Sequence, residues 1–274
     1  MSTRSARHAW RRALALLFVG LLAPLGVGIP AQAAVDDQHQ LVPAYFYPSN
    51  SSSLWPMMCS RMNATGGGSI AIMNPASGPG TQVDSRYTSA VSDCRAKGQK
   101  VIGYVHTSYG SRSLSTVKAE IDRYFSFYAV DGVFIDEMSN STTNSQNGQD
   151  LREYYRQVYA HIKSKTGGTE LVIGNPGAAA SSNWQLSTPV ADVVVVFEGT
   201  WRTYQSWTPR SWVLQQPSEK IANLVYATPA DRRARACALS KDRNAGHFYV
   251  TNDIAPNPWD TLPSYWSRVA PTCT

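Results

Sequence analysis

Eight short runs rich in branched apolar residues recur along this chain, and their spacing limits what it can fold into. They are Leu41–Tyr47, Ser69–Asn74, Val101–Thr107, Gly132–Glu137, Glu170–Gly174, Asp192–Glu198, Ile221–Ala227 and Gly246–Asn252. They return roughly every 25 to 35 residues, the pitch of a strand plus its return helix. Most are apolar throughout rather than alternating, as strands covered on both faces are. The pattern predicts one α/β domain, a (β/α)8 barrel of the TIM type, with no second domain or linker.

Helical patterns fall between the runs. Val117, Ile121, Tyr124 and Tyr128 share one helix face, with Ser115 as the expected N-cap. Leu151, Tyr155, Val158 and Ile162 repeat that spacing, and Gly167-Gly168 is the expected stop. Further helices are expected over Arg86–Ala96 and Asp231–Lys241. The segments after the first, fifth and sixth runs are rich in Pro, Ser, Gly and Trp and give no clear helix. The polar stretch Ser139 to Gln149 reads as a loop after the fourth strand.

The first 33 residues have the layout of an export signal. Arg4, Arg7, Arg11 and Arg12 precede an apolar stretch from Ala13 to Ile29, and Ala31-Gln32-Ala33 supplies a small-x-small cleavage site. Pro24, Gly26 and Gly28 interrupt the stretch and argue against a membrane anchor. The expected domains are thus 1–33, a secretory signal peptide, and 34–274, the barrel. The signal carries four of the 25 Lys+Arg and none of the 19 Asp+Glu, so the remainder is nearly neutral. The charge therefore offers no case for a nucleic-acid partner. No later run is apolar enough to span a bilayer. The expectation is a secreted, extracellular or cell-surface monomer.

Export makes disulfides the natural use of the four cysteines. Sequence alone allows three pairings, and proximity in the chain favours Cys59–Cys94 with Cys237–Cys273. No metal-ligand spacing, nucleophile elbow, P-loop or dinucleotide fingerprint occurs. No metal or cofactor is expected.

In a barrel, the carboxyl ends of the strands meet at one mouth. Those ends are Tyr47, Asn74, Thr107, Asp136, Glu137, Asn175, Glu198, Tyr226, Asn252 and Asp253, a polar, aromatic and acidic set. Burying a carboxylate is costly unless it is paired or used, yet Asp136, Glu137 and Glu198 end two of the most apolar runs. Paired carboxylates are the equipment for cutting a glycosidic bond. Asp136 is assigned as nucleophile, Glu198 as general acid/base, and Glu137 as an orienting or pKa-setting neighbour. Strand alternation puts Phe134 and Asp136 on one side and Ile135 and Glu137 on the other, so a twist or bulge must intervene for both acids to face the mouth. The blander readings are acids that cap a helix, and a Glu198 paired with Arg202 or Arg210. Tyr109, Trp201 and Trp207 sit in post-strand loops and are candidates for stacking on sugar. Tyr45, Tyr104, His106 and His247 read as packing residues. The loop Asn74-Pro75 to Gly80 is a candidate wall of the site.

Asn74-Pro75-Ala76-Ser77-Gly78-Pro79-Gly80, Gly103-Tyr104-Val105-His106-Thr107-Ser108-Tyr109-Gly110, Gly132-Val133-Phe134-Ile135-Asp136-Glu137, Phe197-Glu198-Gly199 and Asn257-Pro258-Trp259-Asp260-Thr261-Leu262-Pro263 together resemble the spherulin 4 (spherulation-specific family 4) proteins. The resemblance implies a barrel of glycoside hydrolase family 135 and an endo-acting cut of α-1,4-linked N-acetylgalactosamine in galactosaminogalactan-type polysaccharide. It also implies that the essential acids are Asp136, Glu137 and Glu198. Ile135 stands where relatives often carry Phe, and Tyr226 where a His is common. Two rivals remain. A chitinase-like site would need acids where Phe134 and Met138 stand, and a non-catalytic carbohydrate-binding protein would share the fold without the chemistry.

Overall fold

A computed structural model describes residues 38–49, 54–63 and 68–268. The expected signal peptide lies outside the described residues, as does Cys273. Eight parallel strands close into a barrel in chain order: β1 (His39–Ala44), β2 (Ile70–Met73), β3 (Lys100–His106), β4 (Gly132–Asp136), β5 (Leu171–Gly174), β6 (Val193–Thr200), β7 (Ile221–Tyr226) and β8 (His247–Val250). The ring is sealed by His39 and Gln40 of β1 pairing with His247 and Phe248 of β8. All eight expected runs are strands, so the (β/α)8 architecture read from their spacing is the one observed.

The outer layer is uneven. Four long helices, α2 (Ser85–Ala96), α3 (Leu114–Phe127), α4 (Leu151–Lys163) and α8 (Arg233–Asp242), stand where helices were expected, and α3 and α4 bury the expected apolar faces. The segments without a clear helical pattern hold α1 (Leu54–Arg61) and the single-turn α5 (Trp184–Ser187), α6 (Trp201–Tyr204) and α7 (Ser211–Leu214). Their buried Trp55, Trp184, Trp201 and Trp212 cover the barrel with bulk where length is lacking. One cap moves. Ser113, not Ser115, caps α3 by accepting from the Thr116 N–H at 3.2 Å. Helix α4 ends at Lys163, a turn before Gly167.

The disulfide Cys59–Cys94 joins α1 to α2, as chain proximity predicts. Cys237 is not free. Gly103 has a steric role, because a Cβ there would come within 2.5 Å of the Tyr124 ring. Its absence lets α3 lie directly on β3, while strand alternation turns the neighbouring Tyr104 to the barrel interior beside Phe134.

Strand β6 contains the irregularity that matters most. Its pairing with β7 slips by one residue between Val195 and Phe197. Val194 and Val196 lie in an outer cluster with Trp212, Val213 and Ile221. Phe197 also faces outward, packing on Tyr204 and Trp207 with ring centroids 4.7 and 5.0 Å apart. Two consecutive outward residues are the mark of a β-bulge. It reverses the alternation, so the next residue, Glu198, turns into the mouth.

Candidate active site

Each acid reaches the mouth by a different local device. Asp136 needs none: it follows Phe134 on the inner face of β4, beside Tyr104 and His106 of β3 in the paired register. Alternation would send Glu137 away. Instead it leaves the strand with φ of 48°, a left-handed backbone uncommon outside glycine. Two donors to its carbonyl hold it there, the Thr107 hydroxyl at 2.9 Å and the Tyr109 N–H at 2.7 Å. Ser108 and Tyr109 are also left-handed, with φ of 46° and 55°, so strain gathers on the turn that faces the acids. Glu198 arrives by the β6 bulge.

Asn175, the residue after β5, joins the two strands. Its side-chain N–H2 donates to Asp136 Oδ1 at 2.8 Å and to Glu198 Oε2 at 2.7 Å. Its own Oδ1 accepts the Gly177 N–H at 2.9 Å, which fixes the amide's orientation. Asp136 Oδ2 accepts the Tyr104 hydroxyl at 2.8 Å. Trp259 stands near enough to Glu198 to favour its anion. His106 Nδ1 lies 3.3 Å from Glu137 Oε2. Among the described residues Glu198 forms no ion pair, and Arg210 turns to the Ala179 carbonyl.

Burial raises the pKa of both Asp136 and Glu198. The donors pull each back, and the charge of Glu137 on Asp136 and of Asp136 on Glu198 pushes each up again. Asp136 holds the richer donor set, from Tyr104, Asn175 and the Glu137 backbone N–H. Glu198 has the Asn175 amide and the nearby Trp259.

The acids open onto a pocket of about 220 Å³ lined by Tyr109, Asp136, Glu137, Asn175, Pro176, Gly177 and Glu198. Five of the expected residues, Tyr109, Asp136, Glu137, Asn175 and Glu198, thus meet there. The rest do not line it. Tyr47 is exposed and donates its hydroxyl to Asp84 at 3.3 Å. Asn74 accepts the Gly78 N–H and closes its own loop. Thr107 is fully buried and touches Tyr155, so it positions Glu137 rather than facing a ligand. Trp201 is buried in the core, and Trp207 is half-buried against Phe197. Tyr226 stands edge-on to Trp259. Asn252 accepts from Ser264, and Asp253 from the Ile254 N–H, so both serve loops. Tyr104 and His106, packing residues by sequence, each touch an acid. Their strand parity with Asp136 was a usable signal. Trp259 was legible only as part of a motif. Among the described residues no group of three or more His, Cys, Asp or Glu is placed to hold a metal ion.

A closed parallel barrel with three carboxylates at one mouth defines the protein as a (β/α)8 barrel with an acidic strand-end site. The chain belongs to spherulation-specific family 4, whose profile matches residues 40–272. It is 37% identical over 241 residues to Spherulin-4 of Physarum polycephalum, covering 84% of this chain and 68% of that one. In fold it is similar to Aspergillus clavatus Sph3, solved in complex with GalNAc, with a TM-score of 0.70 and 22% identity over 88% of this chain and 99% of that one. It is more distantly similar to an α-L-fucosidase from Paenibacillus thiaminolyticus, with a TM-score of 0.57 and 12% identity over 86% of this chain and 48% of that one.

Proposed function

We propose that this chain is a secreted glycoside hydrolase that cuts within polysaccharides of α-1,4-linked N-acetylgalactosamine and galactosamine, by a retaining mechanism. The observation that carries this reading is the Asn175 amide shared by Asp136 and Glu198. Oxygens held 2.8 and 2.7 Å from one nitrogen are at most about 5.5 Å apart, the short spacing associated with double displacement. The GalNAc bound by Sph3, a protein of similar fold, supports the choice of sugar. The Cys59–Cys94 disulfide supports export. The leader at 1–33 and a monomeric state complete the proposal.

In this mechanism Glu198 enters protonated and gives its proton to the leaving oxygen. Asp136 attacks the anomeric carbon and forms a glycosyl ester. Glu198, now a carboxylate, takes a proton from the water that hydrolyses the ester. Burial of both acids makes protonated Glu198 available above the ordinary carboxylate range. The donors on Asp136 keep its anion available in the same window. kcat/KM is therefore bell-shaped, falling at high pH as Glu198 ionises.

The test is digestion of defined α-linked galactosamine oligomers by purified protein, read by mass spectrometry. New reducing ends with internal cleavage support the reading. Tight binding with no product from any oligomer replaces it with a binding protein. Tyr104→Phe sharpens the assignment. The lost donor favours the Asp136 anion, so its removal raises the Asp136 pKa. The acid limb of the pH profile moves up, and kcat/KM falls about 10- to 100-fold, the worth of a hydrogen bond to a charged group.

A further inference from the structure

Strain is concentrated in the turn after β3. Ser108, Tyr109 and Gly110 are left-handed in a row, with φ of 46°, 55° and 83°. Such a run persists only where its surroundings over-determine it. Arg112 supplies much of that constraint. Its Nη1 donates to the carbonyl of His106, where the strand ends, at 2.6 Å. Its backbone N–H donates to the Thr107 carbonyl at 3.2 Å, and its own carbonyl accepts the Tyr154 hydroxyl at 2.9 Å. Glu120 of α3 accepts from both terminal nitrogens of the guanidinium, from Nη1 at 3.0 Å. The two side chains are only 17% and 15% exposed.

These contacts converge on Glu137, which is held at two points. His106 Nδ1 meets its carboxylate, while the Thr107 hydroxyl and the Tyr109 N–H hold its carbonyl. All three partners lie in the segment that Arg112 spans. A guanidinium suits the task, because its planar fork serves a carboxylate and a carbonyl at once, which an ammonium on a flexible stem does not. A buried ion pair adds little stability that apolar residues of like volume could not. The pair is better explained by the geometry it imposes.

We propose that Arg112, clamped by Glu120, is the positioning residue for Glu137: it keeps the left-handed turn closed and so fixes the third acid beside the other two. This rests on the hydrolase reading above. Arg112 does not line the acidic pocket, so it acts through the turn alone.

The test places Arg112→Met with Glu120→Leu, and separately Arg112→Lys, in the full protein, each with and without Glu137→Gln. The Met/Leu pair leaves no buried charge unpaired, so the thermal midpoint should hold. With Glu137 in place, kcat on α-linked galactosamine oligomers should fall about 100-fold, the cost of a misplaced group. With Glu137→Gln already present, the same change should cost less than about threefold, because the acid it serves is gone. Exchange of the Tyr109 amide hydrogen, which is bonded to the Glu137 carbonyl, should quicken about tenfold or more with no substrate present. Arg112→Lys should follow the same pattern with smaller falls, and it carries the test if the Met/Leu variant does not fold. Equal losses of kcat with and without Glu137, or an unaltered Tyr109 exchange rate, overturn the positioning role while the hydrolase stands. No cleavage by the wild type overturns both.

Discussion

Asp136→Asn is expected to cost on the order of 10⁴-fold or more in kcat while raising the thermal midpoint at neutral pH. The amide cannot attack, so the covalent step is lost. The gain in stability follows from the carboxyl's environment. Its pKa is raised in the folded protein, mainly by burial. A carboxyl raised on folding contributes most stability while protonated, below its unfolded pKa. That contribution fades as pH climbs through the raised value. Wild-type stability should therefore decline with pH across that window, and Asp136→Asn should not. Asn keeps an oxygen for the Asn175 amide, and its own N–H2 can donate to the Tyr104 hydroxyl. The expected gain is about 1 kcal/mol, or roughly 2–4 °C. Melting curves from pH 4 to 7 measure it, and an unchanged or lowered midpoint with the same pH slope would contradict the account. Asp136→Ala with added azide tests the role itself. A glycosyl azide of inverted configuration marks Asp136 as the nucleophile, whereas Glu198→Ala should give the retained azide.

Asn175→Ala should lower kcat/KM by about 10²–10⁴-fold, because it removes two hydrogen bonds to charged groups at about 1.5–3 kcal/mol each. Asn175 touches both acids, so its loss has a signature that simple misfolding lacks. Each carboxyl loses a donor that favours its anion, so both limbs of the pH profile should move to higher pH together. Tyr104→Phe, in contrast, should move the acid limb alone. A profile of unchanged shape and reduced height would show that Asn175 serves only packing.

The barrel was legible because parallel strands covered on both faces need near-continuous apolar sequence, and eight such runs were countable. The single-turn helices were not, since α5, α6 and α7 hold their place by buried Trp side chains rather than by a periodic face. At the site, Asp136 and Glu198 could be read as strand ends and Asn175 as their neighbour. The way Glu137 joins them could not be read, because a left-handed residue leaves no mark when it is a glutamate rather than a glycine. The β6 bulge was hidden too. In Val193-Val194-Val195-Val196-Phe197 every residue is apolar, so alternation carries no count from which to find the extra one. Tyr47, Asn252 and Asp253 end up with loop partners because a strand end fixes a residue's height in the barrel but not the direction of its side chain.

The direction in which the β6 glutamate faces therefore depends on the slip being kept, and not only on the order of residues. Were Val193 to Glu198 to pair with β7 without it, every residue past Val196 would trade faces: Phe197 would enter the mouth and Glu198 would lie against the outer layer. Scaffold and acids could both persist while the crevice lost a carboxylate, so the packing of Phe197 on Tyr204 and Trp207 guards the mouth from outside the barrel.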